Sequence, residues 1–114
     1  MAKSLLFDLA DDLAKKAYKI SLDFSYKHQS SIGDQLRRAV LSVVLNIVEG
    51  GARKTVKEKR QFLNIAFSSL KEVKYLIYFC REMKMIEEKD FSIIIEKINY
   101  LAKLLYGFLY KKDS

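Results

Sequence analysis

The sequence predicts an all-α protein, an antiparallel up-down bundle of four helices, and three features predict it. There is no proline and there are only four glycines in 114 residues, so only short loops break long helices, and β-turn chemistry is nearly absent. Apolar residues recur at three- and four-residue steps through four stretches, the period of helices with one buried face. The polar segments between those stretches are short, which favours neighbours that fold back on one another.

The first helix is expected from about Ser4 to Tyr26, with Leu6, Leu9, Leu13, Ala17, Ile20 and Phe24 on one face and mostly charged residues opposite. Lys27 to Ser31 is a polar break, and Ser31 with Asp34 three residues on reads as a helix start. The second helix, Ile32 to about Glu49, stands apart. Val40, Leu41, Val43, Val44, Leu45, Ile47 and Val48 cover nearly its whole circumference, the mark of a rod buried on all sides. That is more apolar surface than one small core takes up. Gln35, Arg38, Ser42, Asn46 and Glu49 fall within about 80° of one another on this helix. Polar groups on an apolar rod must be satisfied by one another, by backbone or by a partner chain. We read this stripe as a network that fixes packing register, with a recognition stripe as the alternative.

Gly50 and Gly51 read as a helix stop, because they supply left-handed positions without a Cβ penalty. Thr55-Val-Lys-Glu58 is a capping box that opens the third helix. This helix runs to about Lys84 with Phe62, Ile65, Ala66, Ser69, Val73, Leu76, Ile77, Cys80 and Met83 as its core stripe. A turn at Met85 to Lys89 leads to the fourth helix, whose stripe is Phe91, Ile94, Ile95, Ile98, Ala102, Leu105 and Leu109.

A chain of 114 residues is the length of one ordinary domain, and with half its residues hydrophobic it should fold. No apolar run reaches the roughly eighteen residues of a membrane span. Asp8, Asp11 and Asp12 stand where a signal peptide is apolar, so a cytoplasmic protein is expected. Cys80 is the only cysteine, which excludes an intramolecular disulfide or a thiolate zinc site from one chain and leaves an inert buried thiol as its reading. Acid/base or nucleophilic chemistry is thinly supplied. His28 is the only histidine and lies in the polar break, and the pairs Asp11-Asp12 and Glu87-Glu88 read as structural. No enzyme, metal or cofactor is therefore expected.

The formal charge is +7, a sign that favours polyanionic partners. Its location matters more than its size. Arg53, Lys54, Lys57, Lys59, Arg60, Lys71 and Lys74, offset by Glu58 and Glu72, put +5 into one stretch, while the balance is +1 from Met1 to Ser31 and zero from Ile86 to Ser114. Lys57, Arg60, Asn64, Lys71, Lys74, Tyr75 and Tyr78 fall within about 100° on the third helix. We take Arg53, Lys54, Lys57, Arg60, Lys71 and Lys74 as candidate nucleic-acid contacts, with Tyr75 and Tyr78 as stacking aromatics. The alternative is an interaction module whose basic surface only keeps it soluble.

The run QLRRAVLSVVLNIVEGGARKTVKEKRQFLNIAFSSLKEVKYLI, Gln35 to Ile77, resembles the signature of bacterial four-helix proteins encoded in intervening sequences of 23S ribosomal RNA genes. The pattern is R-R-A, then S-x-x-x-N-I-x-E-G, a basic capping turn, an aromatic-aliphatic pair and S-S-L. The first helix departs from it, with Phe7 and no tryptophan where tryptophan is common. The resemblance implies a ring-shaped homo-oligomer, a pentamer, of four-helix protomers. It extends to accessory proteins of diversity-generating retroelements, which bind a reverse transcriptase and hold RNA or DNA on a positively charged ring.

Overall fold

Leu6, Ala10, Leu13, Ala14 and Ala17 recur at helical steps and form the buried face of α1, Ala2–Leu22, in the computed structural model, which describes residues 2–110. The helix ends four residues before the expected Tyr26. Phe24 is buried as expected, but from the turn that follows the helix. The Lys27 to Ser31 segment is not an open polar break either. One helical turn, Tyr26–His28, and a π-helical turn, Gln29–Gly33, carry the chain directly into α2, Asp34–Ala52. The expected Ser31 start signal is unused, because Gly33 occupies the cap position with no side-chain cap.

Gln29 supplies the missing termination. Its Nε2 donates to the carbonyl oxygens of Ser21 at 2.9 Å and Phe24 at 2.8 Å, satisfying acceptors that the end of α1 leaves open. Arg37 on α2 then clamps the junction. It donates to the Ser21 hydroxyl at 2.9 Å, to the Gln29 backbone carbonyl at 2.7 Å and to Gln29 Oε1 at 3.1 Å. Its guanidinium also lies 5.7 Å from the centroid of the Tyr18 ring.

Gly50 and Gly51 do not stop α2, which passes through both to Ala52, and no described glycine has a positive φ. Close approach limits the size of residue 50 instead. A Cβ there would stand 3.4 Å from the Lys59 carbonyl oxygen and 3.4 Å from Phe62 Cβ, so the packing of α2 on α3 leaves room for a methyl group and for nothing larger. Such contacts are at the near edge of ordinary packing. We therefore expect Gly50→Ala to raise stability by about 0.5–1 kcal/mol through helix propensity. Gly50→Leu should instead lower it by about 1–3 kcal/mol by forcing the helices apart. Thermal melting of the two variants checks both signs.

Thr55 caps α3, Val56–Glu82, as expected, its hydroxyl accepting from the Glu58 amide at 3.1 Å. Only that half of the capping box is present, since the Glu58 carboxylate accepts from the Thr55 hydroxyl at 3.2 Å. Two residues past the helix end, Lys84 turns the chain in the left-handed conformation (φ 58°) usually reserved for glycine. α4, Glu88–Tyr110, completes the order. Ala66, Val73, Leu76, Ile77 and Cys80 of α3 are buried as expected, joined by Leu70, whereas Ile65 and Met83 are exposed. In α4 the stripe shifts slightly, with Leu101 fully buried and Ile95 and Ala102 at its edge.

α1 packs on α2 and α4, α2 on α3, and α3 on α4, a closed cycle of neighbours 47 Å long. Gln35, early in α2, reaches Glu72 of α3, while Gly50, late in α2, rests on Phe62 near the start of α3. Asp12 of α1 and Lys97 of α4 join at 2.6 Å, and the lysine holds the aspartate below the usual carboxylate range. The core runs the length of the cycle, with Leu13, Leu36, Val40, Leu70, Ile77, Ile94, Ile98 and Leu105 almost fully enclosed. Within one chain, α2 is not buried all round. Leu41, Leu45 and Val48 are 44%, 60% and 49% exposed.

Candidate nucleic-acid interface

The polar stripe of α2 lies along its seam with α3. Ser42 and Ser69 share a hydrogen bond at 2.8 Å, and Asn46 Nδ2 donates to the Ser42 carbonyl at 2.8 Å. Gln35 donates to Glu72 at 2.9 Å, Arg38 pairs with Asp34 at 2.9 Å, and Glu49 pairs with Arg53. Ser42, Asn46 and Ser69 are half-buried, and Gln35, Arg38 and Glu49 are exposed at the rims. Each stripe residue is satisfied within the chain. Of these bonds Ser42–Ser69 and Gln35–Glu72 cross from α2 to α3, and sliding either helix by a turn would break both, while Asn46 steadies Ser42 from within α2.

The basic residues divide into two groups. Lys57, Arg60 and Lys71 are exposed on the outer face of α3, with the half-buried Lys74 at the edge of that face. From Lys57 to Lys74 they span about 26 Å of helix axis. Among the described residues no carboxylate pairs with any of the four, since Glu72 is engaged by Gln35 and Glu58 by Thr55. Arg53 is turned the other way. It pairs with Glu49 and stacks over Phe62 at 4.8 Å, on the side of α3 that faces α2. Lys54 is exposed in the loop before α3, and Lys59 points back to the end of α2, 3.5 Å from the Gly51 carbonyl. The basic face is thus four residues of α3, with Lys54 near its start and Arg53 outside it.

Aromatic side chains border this face, but not the expected ones alone. Tyr75 is 67% exposed, whereas Tyr78 packs edge-on against Phe91 of α4 at 5.2 Å. Three others form a cluster between α3 and α4. Phe67 lies 6.2 Å from Tyr106 and 6.4 Å from Tyr110, and the two tyrosine rings are 4.9 Å apart. Lys71 Nζ sits 4.8 Å from the Phe67 ring centroid, and the Tyr110 hydroxyl donates to Asn64 Oδ1 at 3.4 Å. A shallow hollow of about 240 Å³ opens beside them, lined by Lys57, Arg60, Gln61, Asn64, Leu109 and Tyr110. Sequence reasoning missed Tyr106 and Tyr110, which come from the opposite end of the chain. The available signal was their spacing of four on one edge of α4.

Other reactive groups lie apart from this face. Cys80 is fully buried, and burial pushes its thiol up to about 11, so it stays protonated near neutral pH. His28 lines a separate hollow with Asp23 and Ser25 at the far end of α3. Among the described residues no three His, Cys, Asp or Glu side chains gather as metal ligands, and no helix is long and apolar enough to cross a membrane.

The model of the 23S rRNA-intervening sequence protein family matches residues 3–107. The chain belongs to that family. No curated protein matches the sequence. Among solved structures, this member of the 23S rRNA-intervening sequence protein family is similar to a protein of unknown function from the S23 ribosomal protein family of Bacteroides thetaiotaomicron. The TM-score is 0.83 at 20% identity, over 96% of this chain and 98% of that one. At that identity the likeness shows a shared four-helix fold.

Proposed function

We propose that this protein is a non-catalytic nucleic-acid-binding protein that acts as a ring-shaped homo-oligomer of antiparallel up-down bundles. The ligand is RNA or DNA. The observation that carries the reading is the face of Lys57, Arg60, Lys71 and Lys74, four cations without a carboxylate partner among the described residues, bordered by exposed aromatic rings. Unpaired cations along about 26 Å of one helix suit a phosphate backbone, since each phosphate neutralised releases a counterion. The resemblance of Gln35 to Ile77 implies the ring, with five copies as its order, and its extension to retroelement accessory proteins implies a reverse transcriptase as a protein partner.

Two apolar patches support assembly. Leu41, Leu45 and Val48 lie on the outside of α2, and Tyr100, Leu104 and Phe108 surround an open notch at Gly107 on α4. α2 and α4 are diagonal in the cycle of helices. Two different patches on opposite sides of a protomer make a head-to-tail contact, the kind that closes rings, rather than a two-fold one.

The test is binding of mixed-sequence RNA and DNA at two salt concentrations by wild type and the double variant Arg60→Glu, Lys71→Glu. Losing two contacts per protomer should flatten the log-log salt slope by about 1.8 on duplex and about 1.4 on single strands. Melting temperature should hardly move, because exposed charges contribute little to folding. Equal affinity of the two proteins overturns the assignment of this face. Absence of binding by the wild type at low salt overturns the function and leaves an interaction module.

A further inference from the structure

Resting on the nucleic-acid reading, we infer that the groove between α3 and α4 is built for single strands, with Tyr106 and Tyr110 as the platform on which unpaired bases stack. All seven tyrosines of the chain are at least 39% exposed, but only these two stand ring to ring, at 4.9 Å, beside the unpaired cations. Tyr106 is 58% and Tyr110 53% exposed, so each offers ring surface to solvent. Phe67 supports both rings from α3, and Lys71 Nζ lies over the Phe67 ring at 4.8 Å from its centroid. Tyrosines supported in this way lose little further freedom when a base stacks on them.

The geometry separates two nucleic-acid forms. In a duplex the bases are already stacked, and only phosphates can reach a convex helix face. A single strand can lay its phosphates along Lys57, Arg60 and Lys71 while turning bases into the hollow beside Tyr110. Stacking takes any base, because each has a π-face, so sequence preference is slight. Asn64 Oδ1 accepts from the Tyr110 hydroxyl at 3.4 Å, which leaves its amide NH₂ as a donor on the lining of the hollow.

The experiment titrates the full chain with a mixed-sequence single strand and with the duplex of the same sequence, as ribo- and deoxyribo-oligomers, at one low salt concentration. The chain has seven tyrosines and no tryptophan, so the part of the tyrosine quenching that is lost in Tyr106→Ala, Tyr110→Ala reports these two rings. Tyr106→Ala, Tyr110→Ala should weaken single-strand binding by about 5- to 150-fold for each base that stacks. Duplex binding should stay close to wild type, while the melting temperature falls by several degrees as the ring contacts with Phe67 are lost. Tyr106→Phe, Tyr110→Phe keeps both rings and should retain single-strand affinity. Loss of single-strand affinity in the alanine variant with retention in the phenylalanine variant supports the platform, and the tighter of the ribo- and deoxyribo-oligomers identifies which strand it takes, with contact to the 2′-hydroxyl as the cause of a ribo preference. Unchanged single-strand affinity in the alanine variant overturns the platform, and if Arg60→Glu, Lys71→Glu still abolishes binding, the basic face stands without it. Failure of the wild type to bind either form overturns both.

Discussion

Leu45→Lys is expected to reduce the proposed ring to monomers while leaving the helical bundle folded. Leu45 is 60% exposed and lies between Leu41 and Val48 on the outer stripe of α2, so its loss removes little from the protomer's own core. In a head-to-tail ring the change recurs at every interface, placing a charge in the centre of an apolar contact where its desolvation is not compensated. Light scattering at micromolar concentration should show a fall from oligomer to monomer mass, with unchanged helical circular dichroism. An unchanged mass places the interface elsewhere, and a wild type that is itself monomeric ends the ring proposal. Val44, which sequence periodicity makes equally attractive, is the wrong position. It is half-buried against its own core, and a lysine there tests folding as much as assembly.

The second large effect is on folding. Arg37→Leu should cost about 2–3 kcal/mol, because hydrogen bonds to a charged group contribute about 1.5–3 kcal/mol and the Ser21 hydroxyl, fully buried, loses its donor. The melting temperature should drop by about 10 °C. Arg38→Leu, one position on, removes only an exposed i,i+4 pair with Asp34 and should change stability by less than about 0.5 kcal/mol. Equal costs for the two variants would show that the junction between α1 and α2 does not depend on the clamp. Gly33 belongs to the same device, since a Cβ there would stand 3.0 Å from Arg37 Nη1.

These two arginines show where sequence reading succeeds and where it stops. The four helices were legible because Leu6, Leu13 and Ala17, or Ile94, Ile98 and Leu105, carry helical period in types that water excludes. The Thr55 cap was legible because its partner lies three residues away. Arg37 and Arg38 look alike in sequence, and only the fold brings Ser21 and Gln29 to one of them. Gly50-Gly51 misleads because glycine serves equally for a left-handed cap and for close approach, and the neighbour that decides, Phe62, is on another helix.

The candidate site divides in the same way. Lys57, Arg60, Lys71 and Lys74 share a face by periodicity alone, so their grouping needed no tertiary information. Arg53 left that group because Glu49, four residues before it, and Phe62 compete for its side chain. Tyr106 and Tyr110 entered it because α4 packs beside α3, a fact no local pattern contains.

The cyclic order of the helices also bears on how the chain reaches this structure. Three of the four interfaces join helices consecutive in sequence, so most native contacts close short loops and can form as each helix emerges during synthesis. The fourth, between α1 and α4, links segments such as Asp12 and Lys97 and must wait until nearly the whole chain is made. Until then the apolar edge of α1 that α4 will cover is open to water, and an unfinished three-helix intermediate is the form most exposed to mispairing with a neighbouring copy.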